Sequence, residues 1–224
     1  MPSVAMLRSV FDIIGPAMIG PSSSHTAGAV RIGLAARHLL GGEPRMARIG
    51  LHGSFAATGR GHATDRGLVA GLLGWAADDE RLKDSLEFAA KAGLEVEFHH
   101  TDLGESIHPN SACVDLNGEL VCVASSIGGG SIETVSVDGY AVRFSGSLDT
   151  LVIWHGDRQG FLAHVTSVLA CIDSNIASMR TARVRRGAEA LTVIEMDSAP
   201  QVEVPALLRK IDHVKKLRIL PPLL

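Results

Sequence analysis

Two dipeptides constrain the fold of this chain more than any other feature: Asn117-Gly118 and Asp138-Gly139. Asn-Gly and Asp-Gly supply the positive φ angles that a tight two-residue hairpin turn requires. Apolar residues flank both turns, and Val135 and Val137 alternate with polar neighbours as the residues of a half-buried strand do. The sequence therefore predicts two antiparallel hairpins, which pair 112–116 with 120–125 and 132–137 with 140–144.

The remainder of the first 146 residues alternates between helices and strands. Serines precede the first helix as N-cap candidates, and Gly41-Gly42 ends it. Predicted helices cover 24–40, 65–75 and 80–92, and predicted strands cover 45–54 and 94–100. Together with the hairpins, these elements predict a mixed-sheet α+β domain over residues 1–146.

The pattern changes near Gly146-Ser147. Predicted strands then cover 148–155, 178–185, 189–196 and 216–220, with helices over 161–172 and 205–211. This order is β-α-β-β-α-β, the ferredoxin-like plan. We therefore predict a second domain over residues 147–224.

Composition and charge argue against several classes of function. The chain has 224 residues, 46% of them apolar, and a net charge of −3 without a block of like charge. We therefore expect neither a nucleic-acid partner nor a membrane span. The N-terminal residues lack the basic-then-apolar order of a signal peptide, which favours a cytoplasmic location.

The cysteines argue against a metal site formed by this chain alone. Cys113, Cys122 and Cys171 are odd in number and far apart, with no Cys-x-x-Cys. This pattern predicts neither a disulfide framework nor the several thiolates of a zinc or iron–sulfur site. We therefore expect no metal ligands in this chain.

The first candidate site precedes the first helix, in Gly20-Pro21-Ser22-Ser23-Ser24-His25-Thr26. A helix N-terminus leaves backbone N–H groups unsatisfied and has a partial positive charge. Hydroxyls and an imidazole at that point suit a carboxylate or a phosphate. The alternative is a serine-rich N-cap with an incidental histidine, although one serine suffices for capping.

The second candidate site runs from Thr58 to Asp65, between a predicted strand and a predicted helix. Its two glycines let the backbone approach a ligand closely. His62 lies just before a helix N-terminus, which favours the neutral imidazole. The segment matches neither a dinucleotide fingerprint nor a Walker loop, and the alternative is a simple connector.

Two further segments are weaker candidates. In His108-Pro109-Asn110 the imidazole suits proton transfer near neutral pH, and the amide can orient an amine or a carboxylate. The alternative is a turn before a strand. Residues 125–131 contain three consecutive glycines, which indicate a bulge, a ligand-facing backbone nest or a flexible hairpin connection.

Taken together and in this order, the segments resemble the β chain of the iron–sulfur-dependent bacterial L-serine dehydratases. The matching residues are Ile14-Gly15-Pro16 and the segments 19–28, 53–65 and 126–130. Their order and spacing agree over nearly the whole chain. The first domain is also similar to the allosteric substrate-binding domain of some phosphoglycerate dehydrogenases.

The resemblance implies the conversion of L-serine to pyruvate and ammonia, with a [4Fe–4S] cluster as Lewis acid. It implies that the cluster's cysteines lie on a partner alpha chain. It also implies that His25, His62 and His108 line the active site, and His108 is our first choice for proton transfer. The expected substrate contacts are Ser22, Thr26, Asp65 and Asn110.

The second domain resembles an ACT domain, through Asp157-Arg158-Gln159-Gly160-Phe161-Leu162 and Asn175-Ile176. ACT domains commonly pair side by side and bind an amino acid at the seam. The resemblance therefore implies self-association and an effector near Asp157, Gly160 and Asn175. Gln159 stands where ACT domains usually have proline. The alternative is a domain that has lost its ligand and serves only for dimerisation.

Two other functions remain open on the sequence. The chain could be a non-enzymatic amino-acid sensor that acts on a different partner. It could also be a metal-dependent hydrolase that uses its histidines directly, although its carboxylates lack metal-site spacing. Stoichiometric metal in the isolated chain would indicate the hydrolase.

Overall fold

The computed structural model of the chain describes residues 17–171 and 173–223. Within these residues, the strands are β1 (Met46–His52), β2 (Glu95–His100), β3 (Ser111–Leu116), β4 (Leu120–Gly128), β5 (Ser131–Val137), β6 (Asp149–Gly156), β7 (Ile176–Arg183), β8 (Glu189–Met196) and β9 (Val214–Leu220). The α-helices are α1 (Gly28–Leu40), α2 (Gly53–Thr58), α3 (Thr64–Leu72), α4 (Ser85–Lys91), α5 (Phe161–Ala170) and α6 (Val204–Leu208). A π-helical turn over Ser23–Ala27 leads into α1, and 3₁₀ turns cover Gly59–His62 and Glu80–Asp84.

The first sheet is mixed, with the strand order β2-β1-β3-β4-β5. β1 pairs in parallel with β2, and the remaining neighbours are antiparallel. Asn117 and Gly118 both have positive φ angles, 59° and 67°, between β3 and β4. The predicted α+β class and the first predicted hairpin are therefore confirmed.

The second predicted hairpin is only partly formed. Asp138 and Gly139 have the expected positive φ angles, 49° and 78°. The predicted strand 140–144 is reduced to two isolated bridges, which join Tyr140 to Val137 and Phe144 to Thr134. Between these bridges one side of the pair contains an extra residue, so a continuous ladder cannot form.

The second sheet has the order β7-β8-β6-β9, and all its neighbours are antiparallel. With α5 after β6 and α6 after β8, the chain follows the predicted ferredoxin-like β-α-β-β-α-β plan. Apolar residues of α5 and α6, among them Phe161 and Leu208, pack on Leu151 and Ile153 of β6. One face of this sheet is therefore covered by its own helices.

The opposite face of the second sheet packs on the first part of the chain. Val152 and Trp154 of β6 belong to the same apolar core as residues of α1 and the first sheet. The Trp154 indole N–H donates to Asp138 Oδ2 at 2.8 Å. On β9, the Arg218 guanidinium donates to the carbonyl oxygen of Leu40, at the end of α1, at 2.8 and 3.0 Å. The sheet thus contacts one end of α1 directly.

Helices α1 and α3 pack against each other at unusually close range. A Cβ atom built on Gly71 would lie 2.0 Å from the Val30 carbonyl oxygen, and one on Gly67 would lie 2.9 Å from the Thr26 carbonyl oxygen. Only glycine permits this backbone approach. Because Thr26 faces Gly67 and Val30 faces Gly71, the helices run in parallel and their N-termini lie side by side.

Helix α2 was not predicted. The predicted strand 45–54 ends at His52, and the chain then turns into a short helix. Gly53 makes the turn with φ +54°, and a Cβ atom there would lie 2.7 Å from the Pro109 carbonyl oxygen. The predicted connector that follows is a 3₁₀ turn over Gly59–His62. The strand prediction was therefore wrong at its end, because a tertiary contact reverses the chain at Gly53.

The remaining predicted elements are present with shifted ends. The helix predicted over 65–75 ends at Leu72, and part of the helix predicted over 80–92 is a 3₁₀ turn. The helix predicted over 161–172 ends at Ala170, and Ile172 lies outside the described residues, as do Ile14-Gly15-Pro16. Over 17–171 and 173–223, no helix is long and apolar enough to cross a membrane.

The close packing of α1 on α3 predicts the effect of adding a methyl group. Overpacking costs about 1–3 kcal/mol, and a contact of 2.0 Å with a backbone atom puts Gly71 at the upper end of that range. The gain in helix propensity of about 1 kcal/mol offsets only part of this cost. We expect Gly71→Ala to lower the free energy of unfolding, measured by urea denaturation, by roughly 2 kcal/mol. Gly42→Ala, where nothing lies within 4 Å of the added atom, is the control. Equal stability of the two variants would contradict the packing argument.

Candidate active site at two helix N-termini

The serine-rich segment forms a wide turn at the start of α1. Ser22 caps this turn, since its Oγ accepts a hydrogen bond from the His25 backbone N–H at 3.2 Å. The Gly28 N–H donates to the Ser23 carbonyl oxygen, five residues back, which is the π-helical pattern. Such turns occur frequently at functional sites. Here the turn directs His25 away from α1 and towards α2.

The His25 imidazole is surrounded by hydroxyl groups. Its Nε2 lies 3.2 Å from Ser54 Oγ and 3.2 Å from Thr58 Oγ1, both on α2. Its Nδ1 lies 3.5 Å from Ser22 Oγ. The buried ring of Phe55 packs edge-on against it, with the ring centroids 5.3 Å apart. The orientation of this ring is therefore fixed from three sides.

His62 lies beside His25, and the two ring centroids are 5.0 Å apart. Its Nδ1 is 3.1 Å from the Thr58 carbonyl oxygen. The buried Thr26 hydroxyl donates to the His62 carbonyl oxygen at 3.1 Å, which joins the start of α1 to the turn before α3. The parallel packing of α1 and α3 thus brings together residues of the first and second predicted segments. This group, called the cluster below, consists of Ser22, His25, Thr26 and His62 with Ser54 and Thr58 of α2.

The surroundings of His25 favour its neutral form. Partial burial lowers the pKa of its imidazole below the usual value, and the positive charge that His62 can acquire lowers it further, while a hydrogen bond with Ser54 acts in the opposite direction. An uncharged imidazole at neutral pH can accept a proton. His25 therefore has the chemistry of a base beside a helix N-terminus.

The third predicted segment reaches this region through its backbone. The Phe55 N–H donates to the Pro109 carbonyl oxygen at 3.4 Å, and the Ser126 N–H donates to the Asn110 carbonyl oxygen at 2.8 Å. Ser126 in turn lies against Gly28 at the start of α1. The fourth predicted segment therefore borders the N-terminus of α1, and the third is bonded to the fourth and to the start of α2.

The side chain of His108 stands apart from the histidine pair. It is exposed, and its Nδ1 accepts a hydrogen bond from the Asn110 N–H at 3.1 Å. Among the described residues, no hydrogen bond or ring contact joins it to His25 or His62. Over the part of the chain that the structure describes, His108 is therefore not part of the group around His25 and His62.

An open cleft of about 990 Å³ adjoins the cluster. The residues that line it include His62 and Asp65, and also His99 and His100 of β2. Asp65 accepts a hydrogen bond from the Arg66 N–H at 2.8 Å. Asp65 therefore faces the same space as His62 but does not contact His25 directly.

The donor side chains of residues 17–171 and 173–223 do not fit a metal centre. No group of three or more His, Cys, Asp or Glu side chains within the described ranges could hold a metal ion. Burial raises the pKa of the Cys113 and Cys122 thiols, which disfavours the thiolate that iron or zinc requires. Cys171, which follows α5, is exposed. No step of the chemistry is therefore assigned to a group bound by these residues.

The comparison with protein families agrees with this arrangement. The family described as "Serine dehydratase beta chain" matches residues 9–136, which include every residue of the cluster. The chain belongs to this family.

Relatives within the family match nearly the whole chain. A "Probable L-serine dehydratase, beta chain" of Bacillus subtilis is 46% identical over 85% of this chain and 87% of its own length. The "L-serine dehydratase, beta chain" of Peptoniphilus asaccharolyticus is 40% identical over 84% of this chain and 87% of its own length. A solved ACT domain from the GTP pyrophosphokinase of Chlorobium tepidum is 18% identical and covers 33% of this chain and 96% of its own, with a TM-score of 0.29. The assignment of the second sheet rests on its strand order rather than on this likeness.

The three residues that were predicted to bind an amino-acid effector do not lie together. Asp157 accepts hydrogen bonds from Arg183 at 2.7 Å and from the Gly187 N–H at 2.9 Å, and Gly160 lies on the same loop before α5. The amide of Asn175 donates to Asp197 Oδ2 at 2.5 Å. Asp157 follows the end of β6 at which Gly156 pairs with Glu189 of β8. Asn175 precedes β7, whose first residue pairs with Met196 at the other end of β8. Asp157 and Asn175 therefore lie at opposite ends of the sheet.

The residues that hold His25 were only partly predicted from the sequence. Thr58 was included as the first residue of the second candidate segment, whereas Ser54 was placed at the end of a predicted strand and Phe55 was given no role. Ser54 and Thr58 are four residues apart, which puts both hydroxyls on one face of a helix. The prediction of a strand over 45–54 concealed that relation.

The electrostatics of His25 predict a specific titration. We expect its ring proton resonances, followed by NMR, to titrate with a midpoint below the ordinary histidine value of about 6.5. In His62→Gln the midpoint should rise, because one of the two influences that lower the pKa is removed. An unchanged or lower midpoint in the variant would show that His62 does not act on His25.

Proposed function

We propose that this chain is the beta subunit of an L-serine dehydratase and that it completes an active site with a partner alpha chain. The observation that carries the proposal is the His25–His62 pair, enclosed by hydroxyls where two helix N-termini meet. The beta-chain names of relatives at 40% and 46% identity support the reaction class. L-Serine would be converted to pyruvate and ammonia.

The helix N-termini explain how the substrate would bind. Each N-terminus carries about half a positive charge, and two parallel helices place these charges side by side. We assign the serine carboxylate to this region, with Ser22 on the α1 side and Asp65 and Asn110 at the edges. Thr26, which the sequence also suggested as a substrate contact, is fully buried and donates its hydroxyl proton to the His62 carbonyl oxygen, so we assign it to holding the turn before α3 instead. Asp65 would contact the substrate ammonium group, since a carboxylate does not attract the substrate carboxylate.

One imidazole would transfer the α-proton. Removal of the α-proton needs a base on one side of the substrate, and departure of the hydroxyl group needs an acid on the other. We assign the α-proton to His108, whose side chain is exposed and whose neighbour Pro109 contacts the start of α2 through its carbonyl oxygen. His25 and His62 would position the substrate. Loss of water gives an enamine, which adds water and releases ammonia.

A [4Fe–4S] cluster would come from the partner chain, because the described cysteines of this chain do not suit it. The cluster would supply a Lewis acid for the serine hydroxyl and carboxylate. This chain's contribution is the wall of imidazoles and hydroxyls that faces it. Because each chain would supply part of the active site, neither chain would be active until the two associate.

For the second unit we propose an ACT-type regulatory domain over residues 147–224, after a first domain over 1–146. Asp157 borders a cavity of about 530 Å³ at one end of the sheet, where an amino-acid effector would bind, and Gly160 follows on the same loop as the N-cap of α5. Asn175 lies at the other end, so it would contribute only across a side-by-side pair of chains. Sedimentation of the full chain with and without L-serine tests this pairing, and a monomer under both conditions would exclude it.

The function is tested by co-expression with the cysteine-bearing alpha chain, purification without oxygen and a pyruvate assay with L-serine. We expect His108→Ala in the complex to lower turnover by roughly 100-fold, the lower end of the effect of general acid–base catalysis. His164→Ala, an exposed histidine on α5, should leave turnover near the wild-type value.

The outcomes separate the competing functions. Near-full turnover of His108→Ala would exclude its role in proton transfer. A chain that binds serine but never associates with a cysteine-bearing partner would instead be an amino-acid sensor. Stoichiometric zinc or manganese in the isolated chain would indicate a hydrolase.

A further inference from the structure

One residue, Thr58, contacts both histidines of the cluster. Its Oγ1 lies 3.2 Å from His25 Nε2, and its carbonyl oxygen lies 3.1 Å from His62 Nδ1. Neither the sequence patterns nor the family comparison assigns it a role. Because each contact involves one ring nitrogen, the bonds of Thr58 determine which nitrogen of each ring carries the proton.

The hydroxyl group of Thr58 determines which nitrogen of His25 carries the proton. A threonine hydroxyl has one proton to donate, and Thr58 Oγ1 donates it to the Ser54 carbonyl oxygen at 2.9 Å. Its oxygen can then only accept from the imidazole. His25 Nε2 must therefore carry the proton, and Ser54 Oγ, also 3.2 Å away, can accept from the same N–H.

The carbonyl oxygen of Thr58 determines which nitrogen of His62 carries the proton. A carbonyl oxygen can only accept, so a hydrogen bond at 3.1 Å requires His62 Nδ1 to carry the proton. The two rings therefore have opposite tautomers. The unprotonated atoms are His25 Nδ1, which faces Ser22 Oγ at 3.5 Å, and His62 Nε2.

We propose that Thr58 is a positioning residue that fixes opposite tautomers of His25 and His62, through its hydroxyl and its carbonyl respectively. The result is a pair of basic nitrogens at defined positions, with the hydroxyl of Ser22 against one of them. The importance of this arrangement for turnover rests on the proposed function, whereas the tautomers themselves do not depend on it.

The proposal is tested by nitrogen-15 NMR of the histidine rings in the full chain at about pH 8, above the ordinary imidazole pKa of about 6.5. In the wild type we expect His25 to be protonated at Nε2 and His62 at Nδ1. Thr58→Val removes the hydroxyl but keeps the carbonyl, so the His25 nitrogens should shift towards a mixture of tautomers while those of His62 stay unchanged.

Two variants serve as controls. Thr58→Ser keeps the hydroxyl and should preserve the wild-type nitrogen shifts. Thr166→Val removes a threonine that makes the same kind of bond, to the Leu162 carbonyl oxygen at 2.9 Å, on α5. It should alter neither His25 nor His62, which separates the effect on the rings from a general effect on helix stability.

The spectra test the tautomers, and the activity tests their importance for turnover. A wild-type His25 protonated at Nδ1, or His25 shifts that do not respond to Thr58→Val, would overturn the proposal; the first result needs no variant to fold. In the complex, we expect Thr58→Val to lower kcat by roughly tenfold or more, since misplaced groups cost up to about 100-fold. Altered tautomers with unaltered kcat would keep the tautomer assignment and contradict the role of His25 in the proposed function.

Discussion

The parallel contact between α1 and α3 determines the geometry of the whole candidate site. Gly67 and Gly71 let the backbones approach until the N-termini of both helices lie at one edge of the first unit. The π-helical turn before α1 and the 3₁₀ turn before α3 then bring His25 and His62 together. A pair of larger residues in α3 would separate the helices, and with them the two imidazoles and the two positive helix ends.

The second unit is attached to the other end of the same helix. Arg218 of β9 donates to the last carbonyl of α1, where a cation is favourable because of the helix dipole. The buried Glu195 of β8 accepts hydrogen bonds from the backbone and hydroxyl of Ser145, in the connection between the sheets. Helix α1 therefore extends from the ferredoxin-like sheet to the histidine pair. A shift of that sheet would act directly on the helix that carries His25.

Local signals predicted much of this fold, and tertiary contacts account for what they missed. The Asn117-Gly118 turn and the β-α-β-β-α-β order depend on neighbouring residues, so the sequence revealed them. Helix α2 depends on the contact between Gly53 and Pro109, more than 50 residues away along the chain, so the contacts of Ser54 and Thr58 with His25 were not predicted. Of the predicted site residues, the helix contact unites His25 and His62, whereas His108 lies on a separate loop and, among the described residues, has no hydrogen bond or ring contact with either of them.

The most direct measurement is a structure of the assembled complex with L-serine bound. The account predicts that the N-termini of α1 and α3 face the amino acid, with Ser22, His25 and His62 in the wall around it and the His108 segment closing the rim. An amino acid enclosed by alpha-chain residues alone, with these two helix N-termini turned to solvent, would contradict it.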